Sequence, residues 1–391
     1  MLEYILLIPD AILLVLCLFF AIECVAARLP ATQEGFLNDA RPSIAILVPA
    51  HNEERDICIT LETLCAQIEP QDRIVVIADN CADDTANVAR SFEGVTVIER
   101  ENEELRGKGY AMEFGLNFLA SEPPEIVITV DSDCSVAKGS IDQLARTAAQ
   151  HQNPAQAIYL MDGSREPSPI GALSTFALIV RNQVRPLGLH RLGLPCVLTG
   201  SGMAFPWSVI RQVSLANNRT VDDMQLTLDL GILGYTPVFC PAARVDGRLM
   251  DGVAATSQRS RWEHGHLEFL LQQMPRLLLV ALRQRRADLL VLTLDLSVPS
   301  ISLLAIAWAS FFALVMVLFW VGMPIGLLVG LLGVSGLLVA AAILSAWSGF
   351  ASESVSLVDL LKTPIYILWK APIYLAFLTK PRTRWISTER D

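Results

Sequence analysis

Two aspartates separated by one serine follow a short apolar run in the middle of the chain. The run Ile126–Val130 is rich in β-branched residues and predicts a buried strand, with Asp131 and Asp133 placed just beyond its end. Carboxylate oxygens are ligands that Mg²⁺ and Mn²⁺ prefer, and an ion held there can bind the diphosphate of a nucleotide. We therefore predict a site for Mg²⁺ or Mn²⁺ at Asp131 and Asp133. The structural alternative is that these residues cap a following helix.

A basic and aromatic cluster stands much later, at Gln258–Trp262, shortly before the chain becomes strongly apolar. On a helix, residues three and four apart share a face, so Gln258, Arg261 and Trp262 are expected to project together. An arginine can pair with a diphosphate through two hydrogen bonds, and a tryptophan can stack on a sugar ring. The alternative is an amphipathic helix whose Trp and Arg side chains anchor it at a membrane surface.

A lysine between two glycines, Lys108, opens a predicted helix at Gly107–Leu119. Backbone N–H groups at a helix N-terminus attract phosphate, and the ammonium group would add a positive charge. We predict that Lys108 contacts a phosphate of the bound nucleotide. The alternative is an exposed lysine without such a role.

The elements that must position these residues follow an alternating pattern of strands and helices. Apolar runs predict strands at Ile44–Val48, Ile74–Ile77, Val95–Ile98 and Ile126–Val130, with helical patterns between them. This order predicts a parallel sheet covered on both faces, with ligands bound beyond the carboxyl ends of its strands. The segments Pro49–Glu53, Ala78–Asp84 and Asp131–Asp133 would then lie along one rim.

The composition indicates a soluble domain joined to membrane segments. The 391 residues are 52% hydrophobic and 18% charged, and the mean hydropathy is +0.44. The net charge of −10 argues against a nucleic-acid partner. The eight cysteines form no C-x-x-C pair, which argues against a zinc or disulfide framework and suits a reducing compartment.

Apolar stretches at both ends of the chain predict membrane helices. We predict an N-terminal transmembrane helix in 1–28, a catalytic domain in 42–265, an interfacial helix in 266–290 and two transmembrane helices in 291–348. Interfacial helices and a basic C-terminal tail are predicted in 353–391, with a fourth crossing as the alternative. Asp10 and Glu23 lie near the ends of the first apolar stretch, where we interpret them as interface residues rather than functional intramembrane acids.

Basic residues flank each of these apolar stretches, at Arg28 and Arg41, at Arg283–Arg286 and near the C-terminus. Positive charge next to membrane segments marks the cytoplasmic side. The pattern predicts a multi-pass membrane protein with its catalytic domain in the cytoplasm.

Six segments in order resemble the family 2 glycosyltransferases of the GT-A fold, in particular the membrane-bound synthase branch. They are Pro49–Glu53 (P-A-H-N-E), Ala78–Thr85 (A-D-N-C-A-D-D-T), Val130–Asp133 (V-D-S-D), Thr199–Phe205 (T-G-S-G-M-A-F), Val221–Leu226 (V-D-D-M-Q-L) and Gln258–Trp262 (Q-R-S-R-W). The resemblance implies an α/β GT-A (Rossmann-like) catalytic domain fused to α-helical transmembrane segments. It also implies that the membrane is the bacterial inner (cytoplasmic) membrane.

The resemblance also implies roles for individual residues. Asp223 would be the base that takes the proton of the acceptor hydroxyl, and Asp133 the more direct metal ligand. Glu53 and Asp79 would bind the nucleoside end of the donor, and Gly200 and Ser201 the acceptor sugar. The alternatives are that Asp222 and Asp223 only favour the dipole of a following helix, and that the glycines form a tight strand bend.

The expected function is therefore inverting transfer of a sugar from a nucleotide-sugar, most often UDP-linked, to a lipid-linked or growing glycan in surface or exopolysaccharide synthesis. Donor binding is assigned to Glu53, Asp79, Lys108, Asp131, Asp133 and Arg261, acceptor binding to Gly200, Ser201, Gln258 and Trp262, and catalysis to Asp223. Three membrane spans are too few to enclose a growing glycan and therefore favour the addition of a single sugar, although a homo-oligomer or an export partner could supply further spans. The alternatives are a polyprenyl-phosphate sugar transferase and a catalytically silent scaffold of a polysaccharide assembly complex.

Overall fold

A mixed eight-stranded sheet forms the centre of the domain between the apolar ends of the chain. The computed structural model describes residues 2–30, 35–36, 40–162, 169–216, 222–248 and 252–379. The strand order is β3-β2-β1-β4-β7-β6-β8-β5. The strands are β1 (Ile44–Ala50), β2 (Arg73–Asp79), β3 (Val95–Arg100), β4 (Ile126–Thr129), β5 (Cys134–Val136), β6 (Ala155–Asp162), β7 (Met203–Pro206) and β8 (Val238–Arg248).

The four strands predicted from the sequence are parallel, as expected. β1 pairs in parallel with β2 and β4, and β2 pairs in parallel with β3. The sheet as a whole is mixed rather than parallel, because β7 runs antiparallel to both β4 and β6 and β5 runs antiparallel to β8, whereas β6 pairs in parallel with β8. A sheet of this mixed kind still has one rim at which β1, β2 and β4 all end, and this is where the polar loops lie.

Helices cover both faces of the sheet, as its apolar strands require. In the catalytic domain they are α2 (Ile57–Cys65), α3 (Thr85–Arg90), α4 (Lys108–Leu119), α5 (Ser140–His151), α6 (Pro169–Ile179), α7 (Arg185–Arg191), α8 (Trp207–Ile210) and α9 (Asp222–Leu233). Alternate residues of β1 pack on opposite faces: Ile46 and Val48 contact one core cluster, and Leu47 contacts the other. All three are fully buried.

A single long helix, α10 (Gly252–Gln284), carries the Gln258–Trp262 segment. The boundary predicted between residues 265 and 266 falls inside this helix, which continues without a break. The apolar face that packs against α9 and α11 (Ala287–Ser297) extends along α10 through Phe269 and Leu277, so the motif and the predicted interfacial segment belong to one helix.

Among the helices in the described part of the chain, three are long and apolar enough to cross a membrane. They are α1 (Leu2–Ala26), α12 (Ile301–Trp320) and α13 (Gly326–Phe350), with candidate spans at Glu3–Ala26, Ile301–Trp320 and Gly326–Phe350. Two further helices follow, α14 (Leu357–Leu361) and α15 (Thr363–Thr379). The predicted basic tail, residues 380–391, lies outside the described residues.

The first apolar helix is joined to the catalytic domain by buried charges. Arg185 of α7 donates a 2.7 Å hydrogen bond to Glu23 of α1 and also pairs with Asp295 of α11. Gly188, one turn further along α7, allows close contact, because a Cβ atom there would lie 1.9 Å from the carbonyl oxygen of Glu23. The interpretation of Glu23 as an interface residue is therefore wrong, since its side chain is fully buried in an ion cluster. Asp10 is fully buried as well.

The last helix, α15, is attached to α10 directly beside Trp262. Lys370 pairs with Glu263, and Ser300 donates a 2.9 Å hydrogen bond to the same carboxylate. One residue along, a ring nitrogen of His264 lies 2.8 Å from the carbonyl oxygen of Ile373. α15 is thus held on the motif-bearing helix by two polar contacts, Lys370 with Glu263 and His264 with Ile373, while Leu368 of α15 is 73% exposed.

Candidate active site

A cavity of about 360 Å³ opens at the rim where β1, β2 and β4 end. It collects side chains that are far apart in the sequence. All the site residues predicted from the sequence except Ser201 line it, namely Glu53, Asp79, Lys108, Asp131, Asp133, Gly200, Asp223, Gln258, Arg261 and Trp262. We refer to it below as the main cavity.

The two aspartates beyond β4 lie on a turn that is fixed from behind. The hydroxyl of Thr60, on α2, donates to the carbonyl oxygen of Ser132 at 2.8 Å and accepts from the N–H of Cys134 at 3.1 Å. The chain then enters β5 rather than a helix, so the alternative of a helix cap is wrong. The turn is therefore a rigid support that directs Asp131 and Asp133 into the main cavity.

This turn has the donor atoms that a divalent ion requires. Ligand atoms of Asp131, Asp133 and Cys134 lie within 4.8 Å of one another. The two carboxylates face the cavity and are the hard oxygen ligands that suit Mg²⁺ or Mn²⁺. The thiol of Cys134 is fully buried behind them, against Tyr159 and Ser201. The residues present thus fit a metal bound by Asp131 and Asp133 from the cavity side.

Lys108, at the start of α4, connects the metal-binding turn to the loop before β7. Its ammonium group forms an ion pair with Asp131 and donates a 2.7 Å hydrogen bond to the carbonyl oxygen of Gly200. Burial opposes the charge, but the Asp131 carboxylate outweighs it and raises the pKa of Lys108, so the group stays protonated. The amine is therefore held between Asp131 and Gly200 without needing a ligand to hold it there.

Two glycines of the loop before β7 are each favoured for a different structural reason. Gly200 has φ +97°, a left-handed conformation that favours glycine, and a Cβ atom there would lie 3.8 Å from Oδ2 of Asp223, an ordinary contact distance. Gly202 has φ +66°, and a Cβ there would lie 2.8 Å from Val245. Ser201, between them, is fully buried and accepts a hydrogen bond from the N–H of Asp131 at 3.0 Å. It supports the metal-binding turn from behind and does not line the cavity.

Asp223 lies in the first turn of α9, across the cavity from Lys108. Burial raises the pKa of its carboxyl group, although Arg181 and Lys108 and the N–H of Met224 oppose the shift. A carboxylate whose pKa is raised is a stronger base than an ordinary aspartate, which suits the removal of a hydroxyl proton.

The end of β2 holds the far side of the cavity. Asp79 is buried and pairs with Arg100, and a ring nitrogen of His51 lies 2.7 Å from the carbonyl oxygen of Asp79. Glu53 is 4% exposed, and its N–H donates to the hydroxyl of Thr85 at 2.7 Å. The carboxylate of Asp79 is thus held by Arg100 in the absence of a ligand, and Glu53 is held through its backbone.

Arg181 and Asn182 are among the residues of the cavity wall that the sequence analysis missed. They stand on the π-helical turn Val180–Val184 between α6 and α7. The available signal was the polar run Arg181–Gln183 inside the mostly apolar stretch Ile170–Val184, because a charged residue is rare in a core or membrane-facing helix.

A comparison with family models matches residues 42–277, more than half of the chain, to the family described as "Glycosyltransferase like family 2". "Probable glycosyltransferase YdaM" of Bacillus subtilis is 23% identical over 257 residues, which covers 59% of this chain and 58% of the Bacillus protein. "4,4'-diaponeurosporenoate glycosyltransferase" of Staphylococcus aureus is 31% identical over 111 residues, 28% of each chain. The matches thus span less than two thirds of either relative.

A solved structure has the same fold. The mannosyltransferase PcManGT from Pyrobaculum calidifontis, in complex with GDP-Man and Mn²⁺, superimposes with a TM-score of 0.53 at 16% identity. The match covers 89% of this chain and 100% of that one. The predicted fold class, a GT-A-like α/β domain joined to apolar helices, is therefore confirmed.

Proposed function

We propose, from the premise that this chain belongs to the glycosyltransferase-like family 2, that it transfers a sugar from a nucleotide-sugar to a hydroxyl group of a membrane-bound acceptor. The observation that carries the proposal is the convergence in the main cavity of Asp131 and Asp133, Asp223, and the face of α10 that presents Arg261 and Trp262.

The donor would bind between the end of β2 and the metal-binding turn. Asp79 and Glu53 would contact the nucleoside, and Lys108 and Arg261 the diphosphate. A divalent ion on Asp131 and Asp133 would offset the charge that develops on the leaving diphosphate. The neighbouring structure that contains GDP-Man and Mn²⁺ supports this kind of donor and ion. We propose a UDP-linked or other nucleoside diphosphate donor, with Mg²⁺ or Mn²⁺ as the ion.

The chemical step would be a single displacement with inversion. Asp223 takes the proton from the acceptor hydroxyl, the oxygen forms a bond to the anomeric carbon, and the bond to the diphosphate breaks with its electrons on the nucleoside diphosphate. Positive charge from Lys108 and Arg261 stabilises the nucleoside diphosphate as it leaves, so this leaving group does not have to be protonated. Gln258 and Trp262 would orient the acceptor.

The acceptor is proposed to be membrane-bound because the catalytic cavity and the candidate spans are parts of one packed structure. Leu178, Arg181, Thr199 and Trp262 of the main cavity also line a second cavity, whose walls include Phe20 of α1 and Ile301 of α12. A site in the inner membrane with a cytoplasmic catalytic domain, and a role in surface or exopolysaccharide synthesis, agree with this placement. A polyprenyl-phosphate acceptor is disfavoured because a phosphate oxygen is already deprotonated and needs no base such as Asp223. A catalytically silent scaffold is disfavoured because the proposed base and the proposed metal ligands line the same cavity.

The rate is expected to depend on pH through Asp223. Only the carboxylate form can accept a proton, and burial raises the pKa of this group. The rate should therefore fall as the pH is lowered, with the acid limb of the kcat profile centred above the ordinary aspartate pKa of 3.8. The profile is measured at saturating donor and Mn²⁺. An acid limb at or below the ordinary value would contradict the assignment of Asp223.

A direct test is the release of nucleoside diphosphate by the purified protein in lipid vesicles, with Mn²⁺, a panel of nucleotide-sugars and a membrane lipid extract. At least one donor should be turned over. Donor affinity is expected to fall at least tenfold in Asp133→Ala, as the loss of a metal-binding group does, and to stay within about twofold in Trp262→Ala. Equal losses in the two variants would contradict the division between donor and acceptor ends.

A further inference from the structure

The π-helical turn Val180–Val184 interrupts the helix formed by α6 and α7 next to the main cavity. Such turns are rare, and they widen a helix so that side chains project where a regular helix would not place them. Here the widened turn carries two polar residues in succession, Arg181 and Asn182, and both line the main cavity. The proposed reaction assigns neither of them a role.

Asn182 has an unused acceptor atom in the cavity wall. Its side-chain nitrogen donates to the carbonyl oxygen of Tyr159 at 3.0 Å, which fixes the orientation of the amide. The other atom of the amide, Oδ1, is buried and has no hydrogen-bond partner among the described residues. The residue as a whole is 6% exposed. A buried carbonyl oxygen without a partner costs about 1–3 kcal/mol, so a ligand that supplies an O–H or N–H group would be bound there.

Arg181 lies between the main cavity and the second cavity, which has a volume of about 110 Å³. Its positive charge lowers the pKa of Asp223 and of His266, so it faces both of them. Other cations of the main cavity are engaged: Lys108 pairs with Asp131, and Arg248 pairs with Asp56. Within the described ranges of the chain, Arg181 makes no hydrogen bond or ion pair of its own.

The second cavity places this turn on the acceptor side of Asp223. Its walls come from α1, α12 and α15 on one side and from α7 and α10 on the other, and they include Lys370 and His266. Burial and the charge of Arg181 lower the pKa of His266 to about 4, so the imidazole is neutral near pH 7. An acceptor that reaches Asp223 from the membrane helices would therefore pass Arg181.

We propose that the π-helical turn is an acceptor subsite for a sugar, in which Oδ1 of Asn182 accepts a hydrogen bond from one hydroxyl group and Arg181 donates to another oxygen, while an adjacent hydroxyl faces Asp223. The inference rests on the proposed function and narrows it, because it specifies an acceptor that carries several hydroxyl groups.

The chemistry of the turn argues against a phosphate in this position. A phosphate oxygen has no proton to give to the Asn182 carbonyl oxygen, and it would be repelled by the carboxylates of Asp222 and Asp223 nearby in the cavity. A lipid with one hydroxyl could reach Asp223 but would leave Asn182 without a partner. A sugar satisfies both groups at once.

The first test compares acceptors with the wild-type protein in phosphatidylethanolamine–phosphatidylglycerol vesicles free of glycosidic detergent. The probes are octyl glycosides of glucose, galactose, mannose and N-acetylglucosamine, together with 1-dodecanol and dodecyl phosphate. At least one glycoside should raise the release of nucleoside diphosphate tenfold or more above the rate with water. Failure of every glycoside, or equal use of dodecanol or dodecyl phosphate, would overturn the subsite. If no donor is hydrolysed even slowly, the proposed function itself fails.

The second test measures variants with the best glycoside. Asn182→Ala should raise the KM for the glycoside about tenfold, the usual effect of one lost hydrogen bond to a buried group, while the donor KM and hydrolysis by water stay within about twofold. Gln183→Ala, on the same turn but outside both cavity walls, is the matched control and should change neither. A rise in the donor KM instead would assign the turn to the donor and overturn the proposal.

Arg181→Met provides an independent measurement, because Asn182→Ala also removes the bond to Tyr159 and could lower stability. In Arg181→Met the acid limb of the pH–rate profile should move to higher pH, because the substitution removes a cation that opposes the raised pKa of Asp223, while Lys108 on α4, Arg248, Arg261 and the neighbouring acid Asp222 stay in the cavity. Arg181→Lys keeps the positive charge and should return the acid limb to its wild-type pH. An unchanged limb together with an unchanged KM for the glycoside would remove Arg181 from the subsite.

Discussion

Replacing Asp223 with asparagine is expected to lower kcat by about 10³-fold, within the range that positioned general bases contribute to catalysis. The substitution keeps the shape of the side chain but removes its basicity. Donor binding should be retained, because Lys108, Asp79 and the metal-binding turn are on other elements. The measurement is nucleoside diphosphate release at saturating donor, together with nucleotide affinity by titration calorimetry.

The neighbouring acid, Asp222, is the matched control for this experiment. If both acids only favour the dipole at the start of α9, then Asp222→Asn and Asp223→Asn should have the same small effect, about 0.3–1 kcal/mol on stability, and turnover should survive in both. If Asp223 is the base, Asp222→Asn should keep near-normal turnover while Asp223→Asn should lose it. Comparable turnover in the two variants would show that the first turn of α9 has no catalytic role.

Replacing Arg185 with methionine is expected to destabilise the protein by about 3–5 kcal/mol, the usual cost of removing one partner from a buried ion cluster. The variant leaves the carboxylates of Glu23 and Asp295 in the interior without their shared cation. The measurement is the midpoint of thermal unfolding in vesicles or detergent, at a pH where both acids would be ionised in water.

Two further variants test whether charge is the cause. Arg146 pairs with Asp142 one helical turn away on α5 and is more exposed, so Arg146→Met should cost no more than about 1 kcal/mol. The triple variant Arg185→Met with Glu23→Gln and Asp295→Asn should recover most of the lost stability, because no charge is then left unpaired. Equal midpoints for the single and triple variants would assign the loss to packing instead.

The sequence predicts the catalytic rim well because that rim depends on local patterns. Runs such as Ile44–Val48 and Ile126–Val130 identify parallel strands, and parallel strands of one sheet end at one edge, so the polar residues after them must meet. Asp223 could be added only through the resemblance of its segment to a family, and Trp262 was singled out by residue type and helical spacing without a link to the rim. Nothing local relates them to the rim, since their positions depend on α9 and α10 packing across the sheet.

Other features depend on contacts that no local pattern encodes. The antiparallel placement of β7 follows from the return of the chain beside β4, and strand direction leaves no mark on composition. Glu23 was interpreted from its place near the end of an apolar stretch, whereas its environment is set by Arg185, which lies 162 positions further along the chain. Asn182 was overlooked for the same reason, because its partner is a backbone carbonyl on another element.

The contact between α1 and α7 has a consequence for which acceptors can be used. The missing Cβ of Gly188 and the bond from Arg185 to Glu23 hold the catalytic domain directly against the first apolar helix. The π-helical turn directly precedes α7. In the proposed arrangement, in which α1 crosses a bilayer and the acceptor is a lipid, this contact would set the height of Asp223 above the bilayer surface. A lipid whose headgroup is too short or too long for that height would then present its hydroxyl groups at the wrong depth.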